Sequence, residues 1–107
     1  MVDNYVTKVL FVKSEDGNEI NEITAVFPYI PGTNNPDTMM CYTHIGQHGT
    51  CSEEWVKNCL KENGRVSKEE YSDLVKELYS INSRLQVLKN FEWMSSWEYR
   101  NELLKSK

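Results

Sequence analysis

Apolar and polar positions follow two different periods along the chain, first two residues and later between three and four. In residues 5–13, YVTKVLFVK, Tyr5, Thr7, Val9 and Phe11 share one phase; Val6, Lys8, Leu10 and Val12 share the other. β-Branched and aromatic residues occupy both phases, which predicts a largely buried strand. Asp16-Gly17 follows as a hairpin signal. Residues 20–29, INEITAVFPY, predict a second strand, with Ile23, Ala25, Phe27 and Tyr29 in one phase and Glu22 and Thr24 in the other. Pro28 marks a strand end or an edge. Residues 30–37, IPGTNNPD, are rich in turn formers and read as a loop. TMMCYTHI then reads as a third strand running into a second loop, where Gly46 and Gly49 permit tight turning.

The period changes after Ser52, a good N-cap followed by two acids that suit the first helical turn. A helix over 53–62 places Trp55, Val56, Cys59 and Leu60 on one face, and Gly64 ends it. SKEE at 67–70 is a capping box in which Ser67 caps and Glu70 reaches back. The helix after it, to about residue 80, carries Tyr71, Leu74, Val75, Leu78 and Tyr79 on a single stripe. RLQVLKN at 84–90 predicts a further strand, and SSWEYRNELLKSK a terminal helix after Ser95 or Ser96. The expected fold is a single α+β domain over 1–107: a small antiparallel sheet with helices packed on one side and a zinc-binding loop.

Composition narrows the class. Hydrophobic residues make up 39% and charged residues 26% of 107 residues, as in ordinary globular domains. The net charge of −4 argues against direct, sequence-independent nucleic-acid binding, which needs a basic footprint. No apolar run approaches the roughly 20 residues that span a bilayer, so no membrane association is expected. The segment MVDNYVTKVLF lacks a basic n-region and does not read as a signal peptide. A cytoplasmic location is expected, and there clustered cysteines are metal ligands or catalysts sooner than disulfides.

That expectation bears on Cys41, His44, His48 and Cys51, which fall within eleven residues. The spacing is Cys-x2-His-x3-His-x2-Cys, two short gaps that each aim two ligands at one point. Tetrahedral structural zinc takes four thiolate and imidazole ligands of this kind. Cys51 lies just before the cap of the first helix, whose positive end would favour its thiolate. Cys59 and Asp37 are substitutes if one ligand falls away. Cys59, however, is two turns beyond Cys51, roughly 12 Å along the axis at about 1.5 Å per residue, and reads as core. The competing reading is that each is an ordinary buried thiol or polar histidine. A catalytic zinc needs an open position, which four protein ligands do not leave. A Cys51–His48 nucleophilic pair lacks a recognisable third group or oxyanion loop.

Aromatic residues crowd FEWMSSWEYRNELL. Docking on the sheet accounts for most of them. A smaller share, Trp93, Trp97 and Tyr99 with Arg100, would suit a partner-binding patch, since Trp, Tyr and Arg dominate hot spots.

The stretch FPYIPGT followed by DTMMCYTHIGQHGTCSEEWV and SKEEYSDLVKELYSI resembles a group of small uncharacterised phage and mobile-element proteins sharing an MCYxHxGQHG motif. The resemblance covers about residues 7–88, and its most specific parts are MCYTHIGQHG and EEYSDLVKEL. Small proteins of such elements include inhibitors of host defence, and the chain is similar in size to a type II-A anti-CRISPR metalloprotein. That resemblance implies an inhibitor that binds an RNA-guided nuclease of the host and blocks its DNA loading, with zinc as a structural brace. Three functional classes follow: a non-enzymatic zinc protein acting by protein–protein contact, a zinc- or thiol-dependent enzyme using the Cys/His loop, and a nucleic-acid module, which the acidic balance disfavours.

Overall fold

The computed structural model describes residues 7–14, 22–43, 47–64, 66–81, 84–89 and 92–105. The Asp16-Gly17 hairpin signal lies outside them. In chain order the elements are β1 (Thr7–Ser14), β2 (Glu22–Pro31), β3 (Thr38–Thr43), β4 (Gln47–Ser52), α1 (Glu53–Asn63), α2 (Lys68–Ile81), β5 (Leu85–Val87) and α3 (Trp93–Lys105). The five strands form one sheet in the order β4-β3-β2-β1-β5. The α+β class is as expected.

Two details depart from the expected sheet. The first four strands are antiparallel neighbours, but β5 lies parallel to β1, with Thr7 opposite Leu85 and Val9 opposite Val87. The two intervening helices return the chain in the direction of β1, so the sheet is mixed. Helices also cover both faces rather than one. The reason is in β1, which is apolar in both phases and leaves no face for water. Val9 and Phe11 join Ala25, Phe27 and Tyr42 in a core closed by Leu74 and Leu78 of α2. Leu10 and Val12 join Val26, Met39 and Cys51 in a second core closed by Val56 and Cys59 of α1, with Trp93 of α3 packed against it.

Local signals account for most element ends. Ser52 caps α1 by accepting from the Trp55 N–H at 3.1 Å. Gly64 ends that helix at φ 73°, and its N–H donates to the Leu60 carbonyl. The capping box of α2 is reciprocal: Ser67 N–H donates to Glu70 Oε1 at 2.8 Å, and Glu70 N–H to Ser67 Oγ at 3.2 Å. On α2, Leu74 and Leu78 are buried, but Tyr79 is 45% exposed and leaves the expected stripe. β2 runs on to Pro31 through an irregularity between Phe27 and Pro31, where the missing N–H of Pro28 costs no regular ladder bond. Gly32 is needed there, because a Cβ would meet Thr50 Cγ2 at 2.6 Å and the Met39 carbonyl oxygen at 2.7 Å.

α3 begins at Trp93, earlier than expected. Ser96 is fully buried inside it and donates to the Trp93 carbonyl, so it does not serve as a cap. Among the described residues no helix is long and apolar enough to cross a membrane.

Candidate functional site

The Cys/His segment is built on a hairpin. β3 and β4 pair continuously from Thr38 opposite Ser52 to Thr43 opposite Gln47. The expected ligand loop is therefore largely a strand. Gln47, Gly49 and Ser52 have poor strand propensity, and the ladder to β3 overrides it. Met39 pairs with Cys51, and Cys41 with Gly49, so the two cysteines lie diagonally on one face of the pair.

That face is the α1 side of the sheet. Cys51 is buried in its core, and Cys41 is half-buried against it. A Cβ on Gly49 would lie 3.6 Å from Cys41 Sγ, so this sulfur sits over the neighbouring strand, toward Cys51. Of the two sulfurs, Cys51 acts as the hydrogen-bond donor to Cys41 in setting their protonation. All three cysteines are free thiols.

The hydrogen bond divides the two thiols electrostatically. It favours the Cys41 thiolate, whose pKa falls from 9.0 to about 7 against the opposing effect of burial. Cys51 moves the other way: donation to Cys41 first, then burial and the neighbouring sulfurs, hold its proton. The helix start was expected to make Cys51 the thiolate. Desolvation and the adjacent sulfur outweigh that partial positive charge, and Arg100 opposes them only weakly. A buried, protonated Cys51 is a poor nucleophile, which weighs against the Cys51–His48 pair. Cys59 is buried among core residues of α1, and burial raises its pKa, as a structural thiol requires.

The structure thus brings Cys41 and Cys51 together. His48 pairs with Tyr42 in the backbone ladder; its side chain, and residues 44–46 including His44, lie outside the described residues. Among the described residues no group of three or more His, Cys, Asp or Glu side chains is placed to hold a metal ion. Two adjacent sulfurs, one of them readily ionised, are a fitting half of a tetrahedral thiolate–imidazole set. Asp37, the other substitute, accepts from Trp97 Nε1 at 2.8 Å, while its carbonyl accepts from the Glu53 N–H. Its Oδ1 and backbone groups are committed to the fold.

The four residues of the expected contact patch separate. Arg100 is fully buried: its Nη1 donates to the Pro28 carbonyl at 2.6 Å, Nε to the Pro36 carbonyl at 2.8 Å, and Nη2 to Glu53 Oε2 at 2.6 Å. It locks α3 to β2, to the β2–β3 connection and to α1, and is not available to a partner. Trp93 packs on the α1-side core beneath the Lys57 ammonium, 4.7 Å from its ring centroid. Trp97 is partly buried and held by Asp37. Tyr99 is 42% exposed, with its ring edge-on to Tyr29. Sequence reasoning missed Leu103, one turn beyond Tyr99 and 37% exposed. Two adjacent leucines, Leu103 and Leu104, in a terminal helix give no signal of which one faces solvent. Compared with known proteins, the chain matches no family model, no curated protein and no solved structure.

Proposed function

We propose that this chain is a small zinc-binding, non-enzymatic protein that acts by contact with another protein. The observation that carries the reading is the pair of adjacent sulfurs, Cys41 and Cys51, on one face of the β3–β4 hairpin. Cys41 and Cys51 would hold the ion with His44 and His48. When bound, zinc supplies a structural cross-link and no open coordination position. It would tie the sheet edge to the start of α1, which helps a domain with a modest core.

Contact with a partner is supported by α3. Tyr99 and Leu103, one helical turn apart, are both substantially exposed. An exposed aromatic–aliphatic pair of this kind suits a protein partner better than solvent. The motif resemblance extends the proposal to the partner: an RNA-guided nuclease of the host cytoplasm, blocked before it loads DNA. A net charge of −4 suits a basic nuclease surface and speeds encounter with it.

Two measurements test the two halves separately. Native mass spectrometry of the purified protein is expected to show one zinc per chain, lost in Cys41→Ser and in Cys51→Ser together with part of the thermal stability. His44→Ala and His48→Ala sort which imidazoles complete the set. A metal-free wild-type protein with an intact fold sinks the zinc reading. Guide-loaded nuclease incubated with the wild-type chain is expected to lose DNA binding in a gel shift, and Tyr99→Ala with Leu103→Ala to restore it. A chemical turnover that disappears in a folded, zinc-loaded variant of the hairpin sinks the non-enzymatic reading.

A further inference from the structure

Away from the hairpin, a cavity of about 520 Å3 opens at the β5 edge of the sheet. It exists because β5 is only three residues long. Pairing with β1 stops at Val9, whose carbonyl accepts from the Leu88 N–H at 2.7 Å. Farther along the same edge, the Lys13 carbonyl is capped by Asn63 Nδ2 at 2.9 Å. Between these two caps lies Phe11. The strand alternation that turns Thr7 and Val9 to β5 turns the Phe11 peptide groups to the same edge. Among the described residues they have no backbone partner there.

The cavity is where the two cores meet. Leu10, Leu60 and Trp93 line it from the α1 side, and Phe11 and Tyr71 from the α2 side. Its rim carries Lys68, in the first turn of α2, and Lys89, just after β5. Both lysines are exposed. The ion pairs among the described residues are Lys13–Glu70 and Arg100–Glu53, so neither rim ammonium is neutralised there. The first turn of α2 also carries the carboxylates of Glu69 and Glu70, the latter engaged by Lys13 and the Ser67 N–H, so the positive charge at the rim is that of the two lysines. The volume falls in the range of small-molecule sites, and an apolar floor with a few convergent polar groups is their usual make-up.

We propose that this cavity binds a small organic anion of the N-acylated apolar amino acid class. The apolar side chain lies on the floor formed by Leu10, Leu60 and Tyr71. The carboxylate meets the ammonium groups of Lys68 and Lys89. The amide meets the peptide groups of Phe11, which completes the strand edge that β5 leaves open. Each of the three ligand features answers a distinct feature of the site. The inference is independent of the hairpin metal.

The test is a titration of the full chain with N-acetyl-L-phenylalanine, followed by amide proton–nitrogen NMR. Saturable shifts are expected at the amides of Phe11, Gly64 and Leu88. N-acetyl-L-phenylalaninamide, which lacks the charge, is expected to bind about tenfold more weakly, and the double variant Lys68→Glu/Lys89→Glu to show a loss of about the same size. Both lysines are exposed, so the variant keeps its fold, which the unchanged remainder of the spectrum verifies. No saturable shift, shifts confined to other residues, equal binding of the amide, or an unaffected charge-reversal variant each overturn the proposal.

Discussion

The two faces of the sheet are closed by different chemistry. On the α2 side the core is aliphatic and aromatic, with Phe11 and Tyr71 stacked at 4.4 Å between centroids. A part-buried polar contact at its margin is the Tyr42 hydroxyl donating to Glu77 Oε2 at 2.5 Å. On the α1 side the core contains two cysteines with a third packed against it, and the fully buried guanidinium of Arg100 lies beside α1. One face is held by area removed from water, which is non-directional. The other depends on directional bonds to groups that are expensive to leave unpaired. The directional face also carries the three thiols.

The comparison is broken most directly at Arg100. Arg100→Leu removes the donor to two carbonyls and to Glu53, and is expected to cost about 3–5 kcal/mol in urea denaturation. A loss below about 1 kcal/mol would mean that the α1 side is held by area alone. Next comes the opposite face. Leu74→Ala is expected to cost about 3 kcal/mol, with the spread typical of buried leucines. A near-neutral result would show that α2 is loosely seated. Tyr42→Phe keeps the apolar ring and loses the bond to Glu77; about 1.5 kcal/mol is expected by thermal or chemical unfolding.

Smaller effects sharpen the contrast. In zinc-free protein, alkylation of Cys41 by iodoacetamide is expected to rise with a midpoint of about pH 7, while Cys51 and Cys59 stay slow. Cys51→Ala removes the hydrogen-bond donor, so the midpoint should move up toward 9.0, the ordinary value. An unmoved midpoint would show that the sulfurs do not communicate. The smallest effect is at the surface. The Ser67 N–H, then Lys13, hold the Glu70 carboxyl below 4.5. A lowered folded pKa means that its contribution is present at neutral pH and lost as pH falls through the acid range. Glu70→Gln should therefore lower the melting temperature slightly at pH 7, with the difference shrinking as pH falls through the acid range.

Legibility in the sequence followed the range of the interaction. Ser52, Gly64 and the Ser67/Glu70 box act within three or four residues, and each appears where its spacing predicts. The apolar positions of β1, β2 and α2 were readable for the same reason, except Tyr79. β4 was not. Its residues lack a strand pattern, and the ladder to β3 supplies what local propensity does not. The hairpin cysteines were recognisable as a cluster, but their ionisation was read the wrong way. A helix start is visible in a sequence; burial and a sulfur donor across a strand pair are not.

The sequence by itself determined the α+β class, the order of elements apart from β4, the caps of α1 and α2 and the apolar phases, because these rest on neighbours along the chain. The two apolar phases of β1 were legible as well, but helices were expected on one side only, and the structure covers both. Only the tertiary structure decided which helix covers which face, and that Arg100 turns inward. Those outcomes depend on partners 47 to 72 residues away, Glu53 and the Pro36 and Pro28 carbonyls. The same holds for the division of protons between Cys41 and Cys51, which required β4 to lie against β3. Long-range pairing carries no local signature, because the groups that satisfy one another are brought together by packing and not by spacing.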